Sequence, residues 1–474
     1  MSLRAPSALT LAVAAMVAAC LPDNPSDTED TTGGTGTGDT DEPTGGPTGD
    51  LLACDGPKCT LLLVSQTLDD RVDIYDADAR SLRGSINLDL KYDASGLQTM
   101  NNLLDEPYDL VLTDTDLLIA LGHWPDTDKG SILRFPRASL DGSVAVADYF
   151  NIGNFIADVQ PLTHGRQEGI FLLPHPSGRI LVGVFANSLT SSPESWMTPS
   201  ELLVFDPDDL DAADLGSFDL GGLDIPCIGG WQLVALDPAV TKVAVACDGS
   251  DSVAVLSLPA DFAEASAKDA AAGVTGCGYA LPSMNTTQFV SADGGGGFLA
   301  VQSSGLATRL SHVDYDCTAK GMPSGPPAGD LAQVVTLRQP VLVRSAFDGD
   351  PVWLIAAGQP TNNVVVARSR NGTPELCGVL DGLELDNTNA PWALALNAAR
   401  DHLAIGAGPT GDPFLAQGTG QVVWGALDRI DLDSCDIALS DAVDLNAGRF
   451  MPGAPSTWTR APNVVVVAEI EGDA

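Results

Sequence analysis

Basic residues are scarce in this chain. It carries 23 lysines and arginines against 63 aspartates and glutamates, a formal charge of −40 over 474 residues. The first 50 residues hold eight acids and Arg4, so the remaining 424 carry 55 acids against 22 bases, or −33. A body this acidic is repelled by the phosphates of nucleic acid and by anionic lipid headgroups, which excludes DNA and RNA as partners. Long apolar runs are missing too. No segment after the first 20 residues approaches the roughly 20 apolar residues that a membrane-spanning helix needs. Helical periodicity is nearly absent; only "PADFAEASAKDAAAG" (259–273) reads as a short helix, set in a loop.

The usual catalytic and metal motifs are lacking. Without a G-x-S-x-G elbow, a serine hydrolase of that class is unsupported. There is no H-E-x-x-H. No cysteine pair has C-x₂-C spacing and no histidine lies near Cys54 or Cys59, which argues against structural zinc. "GAGPTG" (406–411) matches G-x-G-x-x-G, but Pro409 sits inside it and no helix follows to meet a phosphate. "DPDDLDAADLG" (206–216) has neither the glycine nor the terminal glutamate of a calcium loop and reads as a turn after a strand. "GGGG" (294–297) reads as a hairpin turn. No catalytic residue, metal ligand or cofactor is assigned, and a divalent cation among the acidic loops stays open.

What is present begins at the N-terminus. Residues 8–19, "ALTLAVAAMVAA", are too short to span a bilayer and suit the apolar core of a secretory signal. Val17-Ala18-Ala19-Cys20 resembles the lipobox of bacterial lipoproteins, which implies cleavage after residue 19 and a lipid on Cys20. The alternative is an ordinary signal cut at the same place. Residues 21–50 are Thr, Gly, Asp, Glu and Pro with almost nothing apolar, too little to offset the entropy of ordering. The expected organisation is a signal peptide at 1–19, a lipidated cysteine and disordered linker at 20–50, and one folded domain at 51–474. The expected location is the cell envelope, at the outer membrane, since Leu21 offers no inner-membrane retention signal. The membrane is then a partner through the anchor. Eight cysteines remain after Cys20, an even number that suits disulfides in an exported protein. Cys54 and Cys59 bracket a Gly-Pro turn and form a natural local pair.

The body consists of short β-branched runs bounded by Gly, Pro, Asp and Asn, such as "TLLLVSQ", "RILVGVFA", "KVAVACDG" and "NVVVVAEI". Comparable strands end at Asp76, Pro136, Asp206, Ser257, Asp316, Ser369 and Asp433, a period of about sixty residues. Four strands per repeat and seven repeats predict an all-β, seven-bladed β-propeller, with six or eight blades as the alternatives. The first repeat, starting at "TLLLVSQ" (60–66), lacks an innermost strand, and the C-terminal "STWTRAP" and "NVVVVAEI" are two unassigned strand-like pieces. A C-terminal strand is expected to complete the first blade and close the ring, removing an exposed edge. "KVAVACDGSDSVAVLSLPA" (242–260) and "TLLLVSQTLDDRVDIYDADARSLRGSINL" (60–88) resemble blades of the YVTN-repeat and lactonase-like bacterial propellers. That resemblance covers about three blades and implies the fold far more than an activity.

Loops joining second to third strands share a face with the blade-to-blade connections, and ligands of propellers usually meet that face. His123 and Trp124 follow a second strand; His164, Arg166 and Glu168 are expected in a blade-to-blade connection; Trp196 ends a long loop that starts at Asn187. Together they are the candidate ligand-binding residues, suited to a small polar ligand or a protein. Cys227 and Cys247 fall on the same face of one blade and are proposed to pair. His175 is placed in a turn, His402 at a strand start and His312 within a strand. The function expected is a binding or scaffolding module. The alternative, implied by the resemblance, is a lactonase-like or other hydrolase with its site at the channel mouth. The sequence leaves the oligomeric state undetermined.

Overall fold

The computed structural model describes residues 51–54, 56–66, 71–87, 107–121, 131–137, 158–161, 167–186, 199–206, 216–282, 286–303, 308–314, 336–359, 361–386, 389–409, 420–447 and 462–471. The expectations for residues 1–50, Cys20 included, lie outside them.

The described strands form seven antiparallel sheets. Blade 1 holds β1 (Lys58–Gln66), β2 (Arg71–Asp76) and β3 (Ser81–Asn87), completed on the inside by the last strand, β27 (Pro462–Glu471). Blade 2 is β4 (Pro107–Leu112), β5 (Asp116–Leu121), β6 (Ser131–Pro136) and β7 (Asp158–Pro161). Blade 3 is β8 (Gln167–Pro174), β9 (Ile180–Ala186), β10 (Glu201–Phe205) and β11 (Gly216–Asp219). Blade 4 is β12 (Gly230–Ala235), β13 (Lys242–Cys247), β14 (Ser252–Ser257) and β15 (Thr275–Ala280). Blade 5 shows three strands among the described residues: β16 (Thr286–Ala292), β17 (Gly297–Ser303) and β18 (Thr308–Asp314). Blade 6 is β19 (Leu337–Arg344), β20 (Val352–Ala357), β21 (Asn363–Arg370) and β22 (Thr373–Val379). Blade 7 is β23 (Asn389–Leu396), β24 (His402–Pro409), β25 (Gln421–Asp431) and β26 (Asp436–Asp444). The innermost strands pack in the cyclic order β27, β4, β8, β12, β16, β19, β23 and back to β27. The fold is therefore a seven-bladed propeller.

The continuous apolar runs follow from this architecture, because both faces of every blade are buried. In β1, Leu61 and Leu63 pack with Leu117 and Ile119 of blade 2. Their neighbours Leu62 and Val64 point the other way and pack with Ala404 and Val422 of blade 7. The period-2 alternation thus feeds two cores from one strand. Seven such cores fill the seven junctions between blades. Each of these four side chains is fully buried, worth roughly 1.5–3 kcal/mol apiece for a Leu or Val. Closure is as expected: β1 pairs with β27 from Lys58↔Glu471 to Gln66↔Pro462.

Covalent ties reinforce the ring. Cys54–Cys59 and Cys227–Cys247 are disulfides, the two pairs proposed from sequence. A third, Cys377–Cys435, crosses from β22 of blade 6 to the β25–β26 turn of blade 7. Cys277 is also disulfide-bonded. Such bonds mark an extracytoplasmic protein. Among the described residues no helix is long and apolar enough to cross a membrane. The one described α-helix, α1 (Ala267–Ala272), lies in the β14–β15 connection, capped by Ser266, which accepts from the Asp269 N–H at 3.1 Å. Gly406 to Pro409 of the glycine motif continue β24 with no helix behind them, and 293–296 is the β16–β17 turn.

The two faces are built differently. The lower face carries the turns from first to second strand, and their leading side chains accept turn N–H groups. Asp237 accepts from Ala239 (3.0 Å) and Thr241 (3.1 Å), and Asn397 from Asp401 (3.1 Å) and His402 (3.0 Å). His175 does the same through Nδ1, accepting from Ser177 at 3.1 Å. Burial and the adjacent Arg179 hold its imidazole below the usual histidine range, in the neutral form this role needs. The upper face carries the second-to-third-strand loops and the blade-to-blade connections.

Candidate functional site

Every innermost strand carries one extra residue near its upper end. Tyr108 stands between the pairs Pro107↔Leu121 and Asp109↔Ala120. Ile170, Trp231, Gln288 and Trp392 interrupt β8, β12, β16 and β23 in the same way. In β19 two residues, Arg338 and Gln339, oppose one, and in β27 the extra residue is Asn463. A bulge bends its strand and re-aims a side chain, and bulges gather at rims and beside sites. Here they form a ring at the upper mouth of the channel.

Side chains just past the bulges knit neighbouring blades. The Asp109 carboxylate accepts from the Leu172 N–H at 2.8 Å. Gln232 Oε1 accepts from Val290 at 2.7 Å, and Gln339 Oε1 from Leu394 at 3.1 Å. These bonds satisfy the inner backbone edge, which no further strand covers. At the first of the three junctions the acceptor is a carboxylate rather than an amide. Burial drives the Asp109 pKa up to about 7, against the opposing pull of the Leu172 and Leu110 N–H groups.

Blades 6 and 7 meet through two bulge residues. The Arg338 guanidinium lies 3.2 Å from the centroid of the Trp392 ring, a cation–π stack, and donates to the Pro391 carbonyl at 3.4 Å. Its other side adjoins the β20–β21 loop: a Cβ at Gly358 would lie 3.8 Å from Arg338 Nη2. That loop holds Thr361 and Asn362, the latter in the left-handed region at φ 44°. Around this stack, buried polar atoms are left without partners: Trp392 Nε1, Thr361 Oγ1 and Asn362 Oδ1, with Thr287 Oγ1 one blade away. A buried donor or acceptor left unpaired costs about 1–3 kcal/mol. Such groups are rare in folded proteins and usually answer to a bound molecule or water.

A Ser–His–Asp arrangement exists elsewhere and has a different character. His312 Nε2 lies 2.7 Å from Asp293 Oδ2, and Nδ1 lies 2.8 Å from Ser369 Oγ. Asp293, His312 and Ser369 are 1%, 5% and 1% exposed, so no substrate reaches the serine. The group joins blade 5 to blade 6, with Trp353 edge-on to the imidazole at 5.9 Å. Burial would raise the Asp293 pKa, but the bonds from His312, Gly295 and Gly297 outweigh it and hold the carboxyl below its usual range. This is an interblade clamp. Among the described residues no group of three His, Cys, Asp or Glu is placed to hold a metal.

Of the sequence-proposed ligand residues, His123, Trp124, His164, Arg166 and Trp196 lie outside the described residues. Glu168 falls in β8 and not in the connection before it, because pairing with β9 extends to Gln167↔Ala186, ahead of the apolar run. Sequence reasoning missed Arg338 and Trp392. Their signal was a large polar-edged residue within the first four positions of several innermost strands, as in "GGWQL" and "NAPWA".

The fold and its ring of bulges define this chain as a seven-bladed β-propeller with a polar channel mouth. Solved propellers align along most of its length. The periplasmic gluconolactonase of Pseudomonas aeruginosa shares 13% identity, with TM-score 0.47, covering 86% of this chain and 99% of that one. AztD from Citrobacter koseri in its apo form shares 12%, with TM-score 0.40, over 88% and 100% of the two chains. The propeller domain of Cps50 (Swd1) from Myceliophteria thermophila shares 10%, with TM-score 0.40, over 72% and 88%. No protein-family model matches the sequence, and no curated protein matches it.

Proposed function

We propose that this chain is a lipid-anchored cell-envelope propeller that binds a small polar ligand at the upper mouth of its channel. The observation that carries the reading is the set of unpartnered buried atoms around the Arg338–Trp392 stack. A ligand that accepts from Trp392 Nε1 and donates to Asn362 Oδ1 recovers the cost of leaving both unmade. The test is a thermal-shift screen with calcium, zinc, EDTA, lactones, cell-wall sugars and short peptides. A ligand at a hundred times its Kd adds about 2.7 kcal/mol, a visible shift. The hit is expected to lose its effect in Trp392→Phe. A hit that shifts wild type and Trp392→Phe equally would remove the mouth as its site. The anchor has its own test: Cys20→Ala should release the protein into the soluble fraction, and continued membrane retention would refute lipidation.

A second reading, a hydrolase acting on lactones, draws on Asp109. Its pKa of about 7 suits a general acid–base, and it sits on an innermost strand beside a bulge. Turnover of lactones that disappears in Asp109→Asn would favour it. Turnover that persists in the variant would count against it.

A further inference from the structure

One place on the lower side of the ring has charges without counter-charges. A cavity of about 200 Å³ lies between blades 1 and 7, lined by Asp78, Arg80, His402, Trp424 and Asp441 among others. Arg80 closes the β2–β3 turn in the left-handed region, φ 54°. Arg83, three residues on, is bonded to Asp76 at 3.1 Å through Nε. Arg80 makes no hydrogen bond or ion pair among the described residues. Arg80 is solvent-exposed, as are Asp78 and Asp441. Asp441 stands at a bulge of β26 with φ 50°, and it too is without a partner among the described residues. Asp78 has one oxygen engaged, accepting from the Thr60 N–H at 2.9 Å.

The floor is aromatic. His402 stacks on Trp424 with centroids 5.1 Å apart and planes 18° apart. Asp401 Oδ1 lies 2.8 Å from His402 Nδ1 and orients the ring. The lining thus offers a guanidinium, two carboxylates and a flat apolar floor. A simple anion would meet Asp78 and Asp441, and a simple cation would meet Arg80. A neutral polyol would form an ion pair with none of the three. The volume is below the roughly 300–1,000 Å³ of drug-sized sites, so the occupant is small.

We propose that this cavity binds a small zwitterion of the α-amino-acid type. Its carboxylate pairs with Arg80, its ammonium with Asp441 and Asp78, and its side chain lies on the His402–Trp424 stack. This site is separate from the channel mouth and does not depend on it. The test is calorimetric titration of the disulfide-intact protein with L-valine, L-valinamide, which lacks the carboxylate, and isovalerate, which lacks the ammonium. L-Valine should bind, and each analogue should bind at least about tenfold more weakly, a loss of about 1.4 kcal/mol. Arg80→Gln and Asp441→Asn should each weaken valine by a similar factor and leave the unliganded Tm within about 1 °C, since neither side chain has a contact to lose. Trp392→Phe should leave valine binding unchanged. No binding of valine up to about 20 mM would overturn the proposal. Equal binding of valinamide, or wild-type binding by Arg80→Gln, would overturn it too.

Discussion

The two faces of this propeller are built from the same repeat and treat polar groups in opposite ways. On the lower face the buried ones are consumed, and only exposed charges such as Arg80 and Asp441 are left open. Asp76 holds Arg83, and Asp116, 2% exposed, takes Arg134 at 2.9 Å. Asp293, His312 and Ser369 close on one another. On the upper face, Trp392 Nε1, Thr361 Oγ1, Asn362 Oδ1 and Thr287 Oγ1 are buried and unmatched. The buried polar groups of the lower face serve stability, and the upper face holds some buried ones in reserve. A fold that must fix seven blades around an axis can afford unsatisfied groups at one end because the other end and the seven cores hold the ring.

Breaking a lower-face tie should therefore cost the most. Replacing Cys377 and Cys435 by serine opens a loop of 58 residues and should destabilise by about 4 kcal/mol in urea unfolding. The Cys54–Cys59 pair spans five positions and should cost about half as much. Next comes Asp293→Ala, which strands His312 and two turn N–H groups. A loss of about 3 kcal/mol in the same measurement is expected. The Asp293 pKa is depressed by folding, so its stabilisation is full above the ordinary carboxylate range and is lost as pH falls through the folded pKa. The variant should flatten that acid limb.

Asp109 should show the reverse slope. Its folded pKa of about 7 lies above the unfolded value of about 3.9, so its contribution is greatest below that value and declines as pH rises to about 7. Asp109→Asn should remove this decline from a stability–pH profile. The smallest change should come at the upper face. Trp392→Phe keeps the aromatic packing and deletes an N–H that has no partner. Unliganded stability should stay within about 1 kcal/mol of wild type or rise.

Much of the fold was legible because burial on both faces of each blade writes itself as continuous β-branched runs. Every strand end used to find the period falls within two residues of the end of the third strand of its blade wherever the residues are described, as at Asp76, Pro136 and Ser257. Ring closure by a C-terminal strand was legible for a simple reason: one blade was a strand short and strand-like pieces were left over at the end; the pairing with β1 assigns "NVVVVAEI" to the place. The mouth was not legible. A one-residue bulge leaves no mark in composition, and Arg338 meets Trp392 across 54 positions and a blade boundary. His312 read as an ordinary strand residue because its partners come from a turn of its own blade and a strand of the next. Cys377–Cys435 joins two blades that no spacing rule connects.

The division of labour between the faces is tested most directly by one side-by-side thermal-shift experiment. Wild type, Asp293→Asn and Trp392→Phe would be screened against the same metals, lactones, sugars and peptides. Asp293→Asn should have a lower unliganded Tm and keep the ligand-induced shift. Trp392→Phe should keep its Tm and lose the shift. If Trp392→Phe keeps the shift, or if Asp293→Asn loses it at temperatures where the variant is folded, the two faces do not divide the work and the account is wrong.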